Sequence, residues 1–178
     1  MKFVAFSGSL RAKSLNTAVV RTAAELCLPP TSMTVYEGLG DLPFFNQDVE
    51  AECPPPEVLA FRALLESADA VLVSSPEYAH GTSGVLKNAL EWVVGGGELV
   101  GKPVAVVTAS PSMTGGDRAQ AWVKETLEVM GAQILPESLP IALASAKVAD
   151  GRVTDEETLR ALEDVLAAMA RAAKEQGA

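Results

Sequence analysis

Three unbroken apolar runs, Phe3–Phe6, Ala70–Val73 and Val104–Val107, constrain this chain more than any other feature. A strand with one wet face alternates apolar and polar residues. A strand covered on both faces does not, and runs of this length mark a parallel sheet sandwiched between helices. Parallel neighbours also require long crossovers, so helices must lie between the runs. The sequence supplies them. Ser14 is placed to cap a helix from Leu15 to about Leu26, which Pro29-Pro30 stops. Val58, Phe61 and Leu65 mark a second helix. Val85, Leu86, Ala89, Leu90, Val93 and Val94 give a third its apolar stripe, ended by Gly95-Gly96-Gly97.

Ala119, Trp122, Val123, Thr126, Leu127 and Met130 repeat at three-four spacing up to a stop at Gly131. A last helix opens on Thr154-Asp155-Glu156-Glu157, read as a capping box, and carries Leu159, Leu162, Leu166, Met169 and Ala173 on one face. Met33–Tyr36 and Gln133–Leu135 complete a five-stranded sheet. Strand followed by helix, five times, is a doubly wound α/β domain with three layers, α/β/α, expected to span residues 1–178 as one unit. Ligands in such sheets bind beyond the carboxyl ends of the strands. Three loops lie there: Ser7–Ser14, Ser74–Ser83 and Ala109–Asp117.

Charge and cysteine content exclude several functions. The net charge of −9 opposes a nucleic-acid partner and gives an anionic ligand no long-range attraction, so any phosphate must be held by local groups. Cys27 and Cys53 are too few for a disulfide framework and have no metal-ligand spacing between them, and with His80 alone a structural zinc site is not expected. The apolar opening is only about five residues long before Ser7, Ser9 and Arg11, too short for a signal peptide or a membrane span. The expectation is a cytoplasmic protein with two free thiols.

The first loop reads Ser7-Gly8-Ser9-Leu10-Arg11-Ala12-Lys13-Ser14-Leu15-Asn16-Thr17. It joins a buried strand to a helix N-terminus, where free N–H groups and the positive dipole end meet an anion. Ser9, Ser14 and Thr17 add hydroxyl donors, Arg11 a fork matched to phosphate oxygens, and Gly8 a sharp turn. Neither G-x-G-x-x-G nor G-x-x-x-x-G-K-[ST] occurs, which argues against a dinucleotide fingerprint and a nucleotidase loop. A terminal phosphomonoester suits this loop. An ordinary capped turn with a surface arginine fits the same residues.

The second loop, Ser74 to Gly84, combines Pro76, Tyr78 and residues too small to block a flat ring. A planar heterocycle against Tyr78, or Tyr78 as a packing residue, are both consistent with it. Glu77 reads as an acid or base, or as a cap for the following turn. His80 reads as a proton donor or as a solvated loop residue. In the third loop Ser110, Gly115 and Gly116 permit close backbone approach, and Asp117 is placed to cap the helix behind it.

Several segments in order resemble the NADPH-dependent FMN reductase family, which includes quinone, azo-dye and chromate reductases. They are Ser7-Gly8-Ser9-Leu10-Arg11-x-x-Ser14-x-Asn16, Leu42-Pro43-x-Phe45-Asn46-Gln47-Asp48, Pro76-Glu77-Tyr78 and Gly84-x-Leu86-Lys87-Asn88-Ala89-Leu90-Glu91-Trp92. Gly101-Lys102-Pro103-Val104-Ala105, Ala109-Ser110-Pro111 and Gly116-x-Arg118-Ala119-Gln120 follow, all within about the first 135 residues. The resemblance implies a flavodoxin-like fold, FMN as cofactor and NADPH or NADH as co-substrate. It implies that Ser9, Arg11, Ser14, Asn16 and Thr17 hold the FMN phosphate. Pro76, Glu77, Tyr78, Ala79, His80 and Gly81 belong to the loop along the ring and ribityl chain, and Ser110 with Gly115 closes the other side.

No side chain need act as a covalent or acid–base catalyst, and Arg11 and Arg118 are candidates to meet the phosphates of the nicotinamide cofactor. The resemblance further implies a homodimer or homotetramer, with Lys87, Asn88 and Trp92 in helix packing and subunit contact, and a small-molecule electron acceptor as partner. Ala79 and Ser83 depart from the asparagine and proline common in the family, which bears on the ring's hydrogen bonds. The function expected is NAD(P)H-dependent electron transfer through FMN to a flavin, quinone or similar acceptor. The alternatives are an FMN-binding carrier or regulatory module without NAD(P)H turnover, and a flavin-free domain for another phosphorylated ligand.

Overall fold

A computed structural model describes residues 1–176. The three apolar runs lie within strands β1 (Lys2–Ser7), β3 (Ala70–Ser75) and β4 (Pro103–Ala109), with β2 at Ser32–Tyr36. These four pair in parallel in the order β2-β1-β3-β4. Every residue of β3 and β4 is buried. That is why neither strand alternates.

The expected fifth strand is real but broken. Gln133–Ile134 (β5) and Leu139–Ile141 (β6) both pair in parallel with β4, at opposite ends of it. Residues 135–138 between them belong to neither strand. The sheet thus follows β2-β1-β3-β4-β5, with β6 extending the β5 edge.

Helices α1 (Leu15–Leu26) and α6 (Glu156–Gln176) cover one face, burying Phe3, Ala5, Leu72 and Val107 among Val19, Val20, Leu162 and Met169. The other face takes α3 (Pro56–Glu66), α4 (Gly84–Val94) and α5 (Asp117–Val129) over Val4, Phe6, Val71 and Val106. Each large apolar side chain so enclosed is worth roughly 1.5–3 kcal/mol of transfer free energy.

The helix ends obey local chemistry, with two corrections. Ser14 caps α1 as expected, its Oγ accepting from the Thr17 N–H at 3.1 Å, and Ser83 caps α4 in the same way through Leu86. The α6 cap is one residue later than the Thr154 box: Asp155 Oδ2 accepts from both the N–H and the hydroxyl of Thr158, at 2.9 and 2.6 Å. Asp117 does not cap α5. The N-cap there is Gly116, which has no side chain to offer.

Gly8 is not needed for a turn with positive φ. A Cβ on it would lie 2.8 Å from Ser83 Oγ and 2.9 Å from Leu86 Cβ, so glycine serves the close approach of the loop to α4.

Further short elements lie outside the sequence expectations. A short helix α2 (Gln47–Glu52) starts within the Leu42–Asp48 motif, capped by Asn46. A hairpin of β7 (Val148–Ala149) and β8 (Arg152–Val153) turns at Asp150-Gly151, both with positive φ, an Asp-Gly signal visible in the sequence.

Candidate functional site

The strand order reverses between β1 and β3: the chain leaves β1 for β2 on one side, then returns to β3 on the other. The loops after β1 and β3 therefore diverge and open a crevice at the carboxyl edge. A recess of about 60 Å³ lies there, lined by Ser9, Arg11, Ser14, Asn16, Pro76, Glu77, Tyr78 and Ser110 together with Leu15, Ala109 and Pro111. All three loops meet in it.

The loop after β1 carries unbonded donors, those of Arg11, Leu15 and Asn16 on residues that line the recess. Among the described residues the backbone N–H groups of Leu10, Arg11, Ala12, Lys13, Leu15 and Asn16 donate to no protein acceptor. Those of Leu15 and Asn16 are the first two of α1, aligned with its dipole. A phosphate would satisfy such groups.

Three predicted phosphate residues have other work as well. Asn16 is buried, and its Oδ1 accepts from the Ser74 hydroxyl and the Ala109 N–H, both at 2.9 Å, while its Nδ2 donates to the Ala109 carbonyl at 2.9 Å. It ties the ends of β3 and β4 to α1, and only its second amide hydrogen and its backbone N–H are left for a ligand. Ser14 Oγ is occupied as the α1 cap acceptor and retains its own O–H. Thr17 is not among the residues that line the recess, and its Oγ1 donates to Ser7 Oγ at 3.2 Å.

The second loop is a tight hairpin turn. Tyr78 and Gly81 exchange backbone hydrogen bonds of 3.0 and 2.9 Å, and Ala79 and His80 between them both have positive φ, 49° and 62°. Two non-glycine residues in that region are strained. Ala79, His80 and Gly81 stand outside the recess, with the His80 side chain 71% exposed. Tyr78 remains at the edge, half-exposed, as a ring could use it.

Glu77 is what the sequence could not place. Its Oε2 accepts from the N–H groups of Arg118 and Ala119, each at 3.1 Å, and its Oε1 lies 3.6 Å from His80 Nδ1. It caps α5 from another loop, filling the position where Gly116 has no side chain, and so fastens the second loop to the third. Gly115 also lies outside the recess. A Cβ on it would meet the backbone of Pro140, Ile141 and Ala142 at 2.8–2.9 Å, so it locks the third loop against β6.

Lys87, Asn88 and Trp92 divide. Asn88 and Trp92 are buried and hold the Leu42–Phe45 segment: Asn88 Oδ1 accepts from the Phe45 N–H, while Asn88 Nδ2 and Trp92 Nε1 donate to the Pro43 carbonyl at 2.9 and 2.8 Å. Lys87 pairs with Glu91 on the surface of α4. The pinned segment carries Phe44, which is 91% exposed and lines a shallow apolar hollow with Leu10, Tyr78 and Val85 beside the recess. Nothing in the local sequence of Phe44 marked it as exposed.

No group of three or more potential metal ligands occurs among the described residues, and no helix there is long and apolar enough to cross a membrane. Both cysteines are free.

Residues 1–146 match the family model described as NADPH-dependent FMN reductase. The chain is 35% identical over 173 residues to an NAD(P)H-dependent FMN reductase of Pseudomonas aeruginosa, covering 95% of this chain and 93% of that protein. It is 37% identical over 153 residues to a quinone reductase of Pseudomonas putida, covering 83% and 82%. Among solved structures, the flavoenzyme NAD(P)H:(acceptor) oxidoreductase FerB from Paracoccus denitrificans superposes with a TM-score of 0.84 at 34% identity, over 98% of this chain and 97% of that one. Flavodoxin 1 from Bacillus cereus, at 15% identity and a TM-score of 0.62 over 96% and 98%, shares the fold.

Proposed function

The chain belongs to the NADPH-dependent FMN reductase family, and from that premise we propose how its residues serve an NAD(P)H-dependent flavoprotein oxidoreductase that passes two electrons to a quinone, flavin or similar acceptor. The observation that carries the reading is the donor-lined recess where three loops meet beside a half-exposed tyrosine. The chemistry of its lining suits FMN: unbonded N–H groups and one guanidinium for the phosphate, and the edge of Tyr78 beside them for a flat ring. FMN, when bound, supplies the redox chemistry, taking hydride from NAD(P)H and delivering electrons onward.

Ser9, Arg11 and the free amides of α1 grip the phosphate, with Ser14 and Asn16 fixing the loop around it and Thr17 buttressing Ser7. Pro76 and Tyr78 border the ring. Glu77 holds that border to the third loop, where Ser110 faces the recess, and Gly115 keeps the third loop in place. Ala79, His80 and Gly81 shape the turn that presents Tyr78. No side chain among these is required as a covalent catalyst; positioning is their contribution.

The chain acts as one domain over its length in the cytoplasm. It forms a homodimer or homotetramer, for which the exposed Leu10, Phe44 and Tyr78 around the site are the supporting observation. Steady-state oxidation of NAD(P)H with a quinone or free FMN as acceptor tests the reading. Turnover above background is expected. A flavin-loaded protein with none would be a carrier or regulatory module instead.

A further inference from the structure

A second cleft, of about 230 Å³, opens between the first turns of α1 and the carboxyl end of β2. Its floor is apolar, formed by Val20, Val35 and Leu39, and its rim carries Tyr36, Arg21 and Glu37. Glu37 directly follows β2. Its Oε1 accepts from Arg21 Nε at 3.0 Å and Arg21 Nη2 at 2.6 Å, with the two side chains 43% and 58% exposed. Arg21 and Lys13 also line a hollow of about 480 Å³ on the other flank of α1, against the Asp150-Gly151 turn.

Arg11 and Lys13 thus precede α1 and Arg21 lies about two turns into it, in a chain of net charge −9. The phosphate recess uses only Arg11 of the three. Lys13 has no acidic partner among the described residues, and Arg21 has only the exposed Glu37. In α/β folds that bind dinucleotides, an acidic residue beyond β2 takes the ribose 2′-hydroxyl, and a nearby arginine accommodates a 2′-phosphate. Glu37 and Arg21 occupy such places beside an apolar floor able to receive a purine.

We propose that the cleft between α1 and the end of β2 seats the adenosine end of NADPH, with Arg21 binding the 2′-phosphate. This rests on the reductase reading above. The arriving phosphate displaces Glu37 from Arg21, an exposed pair whose separation costs little. Glu37 then disfavours the phosphate by repulsion and Arg21 favours it. The pair sets the choice between NADPH and NADH.

The experiment is calorimetric titration of the FMN-loaded protein with 2′,5′-ADP and with 5′-AMP, for wild type, Arg21→Ala, Arg21→Lys and Glu37→Gln. Wild type is expected to bind 2′,5′-ADP more tightly than 5′-AMP. Arg21→Ala should weaken 2′,5′-ADP by about tenfold or more and change 5′-AMP little. Arg21→Lys should recover part of the loss, and Glu37→Gln should tighten 2′,5′-ADP several-fold, on the order of one like-charge contact removed. Equal wild-type affinity for both nucleotides, or an unchanged 2′,5′-ADP affinity in Arg21→Ala, overturns the proposal. Bleaching of the flavin by NADPH, followed in the same preparations, separates the two failures. Bleaching without the Arg21 effect removes the adenosine site and leaves the reductase, whereas no bleaching in wild type removes the reductase and the site with it.

Discussion

Arg11 brings the one guanidinium that lines the phosphate recess, and a charge-assisted bond there is worth roughly 1.5–3 kcal/mol. Arg11→Ala should therefore weaken FMN by that amount and riboflavin, which has no phosphate, hardly at all; fluorescence titration of both flavins reads the difference. Asn16 acts mainly through the fold. Its side chain makes three buried bonds across α1, β3 and β4, so Asn16→Ala orphans a buried hydroxyl and two backbone groups, at roughly 2–4 kcal/mol. The lowered stability should appear in urea denaturation even without flavin. The residue type announced a polar role at position 16. Its inward direction was not legible, because the partners Ser74 and Ala109 reach it only once β1, β3 and β4 are in register.

At the scale of elements, the second and third loops form one unit through Glu77. Glu77→Ala leaves two N–H groups of α5 without a partner and should cost about 1–2 kcal/mol, with FMN affinity falling alongside as the loops part. The cap of α6 gives a pH signature. Hydrogen bonds from the Thr158 hydroxyl and N–H hold the Asp155 carboxyl below its ordinary value of 3.8. A depressed folded pKa means stability that is present above pH 3.8 and lost as pH falls from there through the folded value. Asp155→Asn should lack that acid-side component of the denaturation profile, while wild type shows it.

Strands and helices were readable because continuous apolar runs and three-four stripes are properties of a single segment. The Glu77 cap joins positions some forty residues apart in sequence, and no local pattern encodes that.

For the whole molecule, the two faces of the sheet carry separate cores and the carboxyl edge carries the chemistry. The recess, the apolar hollow under Phe44 and the cleft beside Glu37 share the loop after β1, with Ser9 and Arg11 bordering all three. The location of the recess was legible from three loop compositions and the rule of the reversed strand order. The hollow and the cleft were not, since they depend on how the segments after β2 fold back over that loop. With a net charge of −9, attraction of an anionic co-substrate must be short-ranged.

The central claim is that this chain binds FMN at that loop and lets NADPH reduce it. The visible absorption spectrum of the flavin-loaded protein, taken before and after anaerobic NADPH, tests it most directly. The account predicts flavin bands that bleach on addition. A bound flavin that stays oxidised, or protein that takes up no FMN at all, would contradict it.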